Sequence, residues 1–139
     1  MNKQTAENKY VDTDSSYLNH WVRIAELLSV YGDLLPERMQ TMLLSYYSDD
    51  MSLSEIAEQA DVSRQAVHDS LKRGEEHLER YEASLKLVAQ RHQLQRAKER
   101  LNRKIQELPL SNHPLMDEIK DVIQTHLTEL ETILTEGSP

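Results

Sequence analysis

A chain of 139 residues that is 38% hydrophobic and 29% charged, with no Phe and no Cys, is long enough for one compact domain with an appended helical piece, but short of bulky apolar material for one large core. The missing cysteines exclude a disulfide framework, a thiolate metal site and a cysteine nucleophile, and a formal net charge of −8 argues against a protein that coats nucleic acid without selectivity. Residues 1–16 lack the apolar core of a signal peptide and no apolar run approaches the ~20 residues of a membrane span, so a cytoplasmic location is expected.

Leu, Glu, Gln, Lys, Arg and Ala dominate, Gly and Pro are sparse, and no run of alternating β-branched residues reads as a strand. The expected fold class is all-α. Residues 1–14 read as a disordered polar tail with nothing to bury. Ser15 or Ser16 then caps a first helix whose buried face is expected to run through Tyr17, Leu18, Trp21, Val22, Ala25, Leu28 and Tyr31, ending at Gly32. Pro36 sits at a first-turn position, and the second helix is expected to bury Met39, Met42, Leu43 and Tyr46 before stopping at Ser48-Asp49-Asp50.

Ser52-Leu53-Ser54-Glu55 has the form of a capping box and opens a short helix with Leu53, Ile56, Ala57 and Ala60 inward. Asp61-Val62-Ser63 reads as a tight turn, and Ser63 caps a helix that begins at Arg64. That helix is expected to bury Val67, Leu71, Gly74, Leu78, Tyr81 and Leu85, and can continue without a break into the basic stretch beyond Lys86. A small residue at Ala57, a turn residue at Asp61 that tolerates left-handed dihedrals, a plug at Val62 and apolar Val67 and Leu71 meet the demands of a helix-turn-helix over residues 52–80.

The domain reading is therefore a helical domain over 15–88 and a C-terminal helical hairpin over 89–139. Leu87, Leu94, Leu101 and Leu108, spaced by seven, mark the first arm, with Arg91 and Lys98 between them making a poor coiled-coil seam; Pro109 closes it. Pro114 opens a last helix rich in Leu and Ile, and residues 110–113 join the two arms.

Two surfaces are candidates for binding. In the second motif helix Gln65, His68 and Lys72 share an exposed face, with Arg64 and Arg73 at its margins, a plausible edge for reading bases. Asp69 lies in the same surface and Glu75, Glu76 and Glu79 come directly after it, so residues 52–80 carry a net charge of −3 that would repel a phosphate backbone. A scaffold or protein-docking helix is an equally good reading of that pattern. Residues 86–104 carry seven cations against Glu99, a net of +6, with Arg91, Arg96, Lys98, Arg100, Arg103 and Lys104 as the candidate nucleic-acid-binding set. Such charge also serves solubility, or pairs with the acidic last helix through Asp117, Glu118, Asp121, Glu129 and Glu131.

The segments YYSDDMSLSEIA at 46–57 and VSRQAVHDSLKR at 62–73 carry a closer likeness. Residues 31–87 resemble the YlxM family, also called the p13-like helix-turn-helix proteins, and more broadly region 4 of bacterial sigma factors, a winged-helix-like module without its wing. The resemblance implies an all-helical, non-enzymatic bacterial protein that assists or regulates the signal recognition particle pathway of protein targeting. The basic stretch would then lie along an RNA backbone, with RNA or protein components of the particle as partners. Two alternatives stay open: a DNA-binding transcriptional regulator, and a sigma-like protein-docking module. The last helix, apolar over well more than one partner helix can cover, points to a homodimer.

Nothing favours an enzyme. The six histidines, at 20, 68, 77, 92, 113 and 126, lack metal-ligand spacing, Asp49-Asp50 reads as a solvated turn, and no phosphate-cradling Gly loop is present. No cofactor and no metal are expected.

Overall fold

The computed structural model describes the backbone of residues 4–108 and 113–136, and the side chains of residues 15–108 and 113–133. The expected loop at 110–113 and the closing Pro109 therefore lie outside the described residues, His113 excepted. Every regular element described is helical: α1 (Gln4–Tyr31), a 3-10 turn (Gly32–Leu34), α2 (Glu37–Tyr47), α3 (Leu53–Ala60), α4 (Arg64–Leu85), α5 (Leu87–Gln106) and α6 (Pro114–Glu136). The chain divides into two compact units, Met1–Val88 and Ala89–Pro139.

Helix α1 begins at Gln4, not at a cap on Ser15 or Ser16. Over residues 4–14 the expected polar tail gives way to helix. Once the packed part of α1 is nucleated, each added residue gains a backbone bond, and Gln, Ala, Glu and Lys extend a helix without needing burial. The buried face of α1 is also rotated from the expected one. Ile24, Leu27, Leu28 and Tyr31 are buried, while Tyr17, Leu18 and Val22 are exposed by more than half. Both stripes have helical spacing, so periodicity alone could not choose between them.

Helix α2 sits against α1 and α4 with Met42, Leu43 and Tyr47 buried, and Met39 and Tyr46 packed at the edge. Pro36 occupies the N-cap position one residue before the helix. Helix α4 buries Val67, Leu71, Gly74 and Leu78 as expected, with Tyr81 half-buried against the same core, but the stripe does not reach Leu85. Leu85 is 49% exposed, and Glu82 at 6% takes the inward place.

The reason lies at the end of α4. Lys86 adopts a left-handed conformation (φ 56, ψ 29), donating its N–H to Glu82 O at 2.9 Å, so α4 stops and α5 starts afresh at Leu87. The new N-terminus needs acceptors for its amides. Glu82 Oε2 accepts from the Val88 N–H at 3.1 Å and from the Tyr31 hydroxyl at 2.9 Å, and the Tyr31 oxygen accepts from the Leu87 N–H at 3.1 Å. Burial, with the Glu82 carboxylate beside it, raises the Tyr31 phenol above its ordinary pKa against a smaller opposing effect of the Leu87 amide, so it remains a donor. A carboxylate at a helix N-terminus is favoured by the macrodipole.

Gly74 is where α4 crosses α2. A Cβ placed there would stand 2.6 Å from Leu43 Cδ1 and 3.2 Å from Met39 Cγ, and Leu43 is fully buried. Gly74→Val is accordingly expected to destabilise the unit by about 1–3 kcal/mol through overpacking, measured as a lower urea midpoint. An unchanged midpoint would mean that α2 and α4 can separate freely at this point.

In the second unit α5 and α6 pair through Lys98, whose ammonium bonds the Glu131 carboxylate. On α6, Met116, Ile123 and Leu127 are half-buried, while Leu115, Ile119, Val122, Leu130 and Ile133 are exposed.

Candidate nucleic-acid interface

The helix-turn-helix is set by three local devices. The Ser52 hydroxyl accepts from the Glu55 N–H at 3.2 Å while Glu55 Oε2 accepts from the Ser52 N–H at 2.7 Å, closing the capping box of α3. Asp61 lies in the left-handed region (φ 54, ψ 50), and Val62 donates its N–H to Ala57 O at 3.0 Å, which reverses the chain. The Ser63 hydroxyl then accepts from the Ala66 N–H at 3.0 Å and starts α4. Ile56, Ala57, Val67 and Leu71 lock the crossing of the two helices. Arg38 reaches from α2 to Ala60 O at 3.3 Å, placing a cation at the negative end of α3. Ser52→Ala should cost about 1 kcal/mol, read as a drop in denaturant midpoint; no change would mean that solvent replaces the cap without loss.

The outward residues of α4 fall where helical spacing requires. Arg64, Gln65, His68, Lys72 and Arg73 are all exposed. Their surface is not free of competing charge. Gln65 Nε2 donates to Asp69 Oδ1 at 3.0 Å, and His68 Nδ1 lies 3.5 Å from the same oxygen. Two of the candidate reading residues are thus turned onto a carboxylate in their midst. Arg73 faces the α2 side, beside Pro36 and Arg38, and Lys72 faces the α1 side.

Beside Lys72 and His68 lies a cleft that no sequence motif marks. Trp21 packs against Tyr46 and Tyr47 with ring centroids 5.0 and 4.7 Å apart, and the Tyr17 and Tyr46 hydroxyls are 3.4 Å apart at its rim. Tyr47 donates to Glu75 Oε1, and His20 Nε2 is 3.3 Å from Glu75 Oε2. The Tyr17 hydrogen bond, then burial, pushes the Tyr46 phenol up to about 12. Burial first, and Glu75 second, hold Tyr47 protonated well above the usual phenol range. The available signal was the adjacent pair Tyr46-Tyr47, one member more than an edge position needs, with Trp21 on the preceding helix. Further along α4, Arg23 clamps Glu79 at 3.0 and 2.8 Å, and its hydrogen bonds draw that carboxyl below the usual range despite partial burial. This flank of the motif is acidic.

The basic set on α5 separates into two groups. Arg96, Arg100 and Arg103, spaced by four and three, fall on one stripe of the helix with Lys104 beside it, and all four are exposed. Lys98 is on the side facing α6, with only 17% of its side chain exposed and Glu131 as partner, and Arg91 is half-buried. The acidic last helix thus neutralises one position of the six and leaves the outward stripe cationic.

Among the described residues no group of three or more His, Asp or Glu is placed to hold a metal ion, and no described helix is long and apolar enough to cross a membrane.

The family of YlxM / p13-like helix-turn-helix proteins, UPF0122, matches residues 18–122. The chain belongs to this family. Among UPF0122 relatives, a protein of Desulforamulus reducens is 54% identical over 67 residues, which is 48% of this chain and 57% of the relative. UPF0122 proteins of Bacillus cereus strain AH187 and Bacillus thuringiensis subsp. konkukian are each 38% identical over 107 residues, covering 77% of this chain and 94% of the relative. The UPF0122 match takes in the whole helix-turn-helix, all of α5 and the first part of α6, so both candidate surfaces lie within it.

Proposed function

We propose that this chain is a non-enzymatic, cytoplasmic accessory factor of the signal recognition particle pathway, acting by binding RNA along α5, with the helix-turn-helix as scaffold and docking module. The observation that carries the RNA assignment is the outward stripe of Arg96, Arg100 and Arg103 with Lys104, set against a motif face interrupted by Asp69 and flanked by Glu75, Glu76 and Glu79. Phosphate affinity follows local positive charge through counterion release, and the two surfaces differ in sign. The pathway assignment rests on the likeness to YlxM and the family membership. RNA and protein components of the particle are the partners proposed, and the chain acts as a homodimer.

The test is affinity capture from bacterial cytosol on the immobilised full chain, with retained RNA and protein both identified. Enrichment of the particle's RNA, lost with the four-residue α5 variant Arg96→Gln, Arg100→Gln, Arg103→Gln and Lys104→Gln, supports the reading. Retention of a particle protein without RNA, unaffected by that variant, would replace RNA contact with protein docking.

One observation favours a second reading. The caps and the left-handed turn build a complete helix-turn-helix that leaves Arg64, Gln65, His68, Lys72 and Arg73 exposed, as a DNA-binding regulator requires. Capture of duplex DNA fragments sharing a sequence would favour it.

A further inference from the structure

We propose that the hairpin of α5 and α6 is one half of a four-helix bundle, whose other half is the same hairpin of a second copy of this chain. This deepens the homodimer named above by assigning its face, its symmetry and one cross-copy ion pair. It does not depend on nucleic-acid binding.

One side of the hairpin carries an open apolar groove of about 270 Å³, in which Leu94, Ala97 and Leu101 of α5 face Leu127 and Leu130 of α6. On α5 the positions Leu94, Ala97 and Leu101 keep the alternating three-and-four spacing of a helix-packing seam. On α6 Leu115, Ile119, Val122, His126, Leu130 and Ile133 do the same, and Leu130 places that row on the groove side. Five of these α6 side chains are 43–62% exposed. A separate row on α6, Met116, Ile123 and Leu127, is half-buried. α6 therefore has apolar surface for two neighbours.

Charge selects the occupant. α5 carries Arg91, Arg96, Lys98, Arg100, Arg103 and Lys104 against Glu99, whereas α6 carries Asp117, Glu118, Asp121, Glu129, Glu131 and Glu136 against Lys120. A covering layer must present acid to α5 and base to α6. The same hairpin does so when turned about a two-fold axis parallel to its helices, which sets α5 of each copy on α6 of the other. A two-fold axis across the helices would stack α5 on α5, cation against cation. The Lys98–Glu131 pair fixes the antiparallel register, so residue 100 stands level with residue 129. An axis along the helices preserves level, bringing Arg100 of one copy to Glu129 of the other. The face measures ~30 Å by ~20 Å, so roughly 600 Å² per copy is covered, at the lower edge of a standard interface.

The experiment is analytical ultracentrifugation of the full chain at several concentrations, without nucleic acid. A dimer that dissociates on dilution is expected. Ile119→Glu with Leu130→Glu should give a monomer whose circular dichroism still shows folded helix. Arg100→Glu and Glu129→Arg should each weaken the dimer by about tenfold, and the two together should recover most of that loss. A monomer at every concentration would overturn the proposal, as would a dimer indifferent to the α6 substitutions. Failure of the charge swap to recover affinity would overturn the assigned symmetry. Because RNA is absent, neither result depends on the α5 RNA reading.

Discussion

Leu78→Ala is expected to remove about 2–5 kcal/mol from the helix-turn-helix unit, the largest single-residue loss foreseen in this molecule. Leu78 is fully buried in α4, within the cluster that joins Ile24 and Leu27 of α1 to Leu43 of α2 and Val67 of α4. Truncation deletes three carbons and leaves a cavity that three surrounding helices can only partly close. A domain of this size has about 5–15 kcal/mol in total, so the variant should unfold at markedly lower urea with little change in the slope of the transition. Leu85→Ala, further along the same helix, should change stability by no more than about 0.5 kcal/mol, because Leu85 is 49% exposed. Equal losses at the two positions would mean that the Leu78 stripe does continue to the end of α4, against the break at Lys86.

Between those two leucines the sequence pattern and the fold part company. Up to Leu78 the three-and-four pattern and the buried face agree, because one helix packs on one core. Past it, Leu85 kept the pattern while Glu82 became the buried residue, and no local rule anticipates a carboxylate facing inward. Its warrant is tertiary: Tyr31, more than fifty residues earlier, and the amides of a helix that does not yet exist at that point in the chain. The left-handed Lys86 is equally illegible, since Lys has no preference for that region, whereas Asp61 is of a residue type that tolerates it, so its turn is visible in the sequence.

The helix-turn-helix was the most legible part because its signals are local. Ser52 and Ser63 cap within three residues, and both caps form. In α1 two competing apolar stripes shared the same spacing, and the packing chose Ile24 and Leu27 over Leu18 and Val22. The candidate site was legible as charge but not as geometry. Counting cations gave six positions on α5; which of them face solvent depended on α6, whose Glu131 takes Lys98. The aromatic cleft at Trp21, Tyr46, Tyr47 and Glu75 needed three helices to be brought together, and no single segment announces it.

The second large effect concerns binding. Replacing Arg96, Arg100, Arg103 and Lys104 together by Gln removes four positive charges from one exposed face of α5 without touching the buried core. If Arg96, Arg103 and Lys104 each engage a phosphate while Arg100 is held by Glu129 of the second copy, log K against log salt should flatten by about 2, since each contact releases roughly 0.7–0.9 of a counterion. Helical content and urea midpoint should stay near those of the parent chain, because these side chains pack against nothing in the core. Arg91→Gln and Lys98→Gln should matter much less to the salt slope, as Arg91 is half-buried and Lys98 is held by Glu131.

The most direct measurement is equilibrium binding of the full chain to a structured RNA and to duplex DNA across a salt series. It compares the parent, the four-residue α5 variant, and the motif variant Gln65→Ala with Lys72→Ala. RNA affinity that falls steeply with salt, collapses in the α5 variant and survives in the motif variant is the predicted result. Sequence-specific duplex DNA binding that is lost in the motif variant and indifferent to the α5 changes would contradict it.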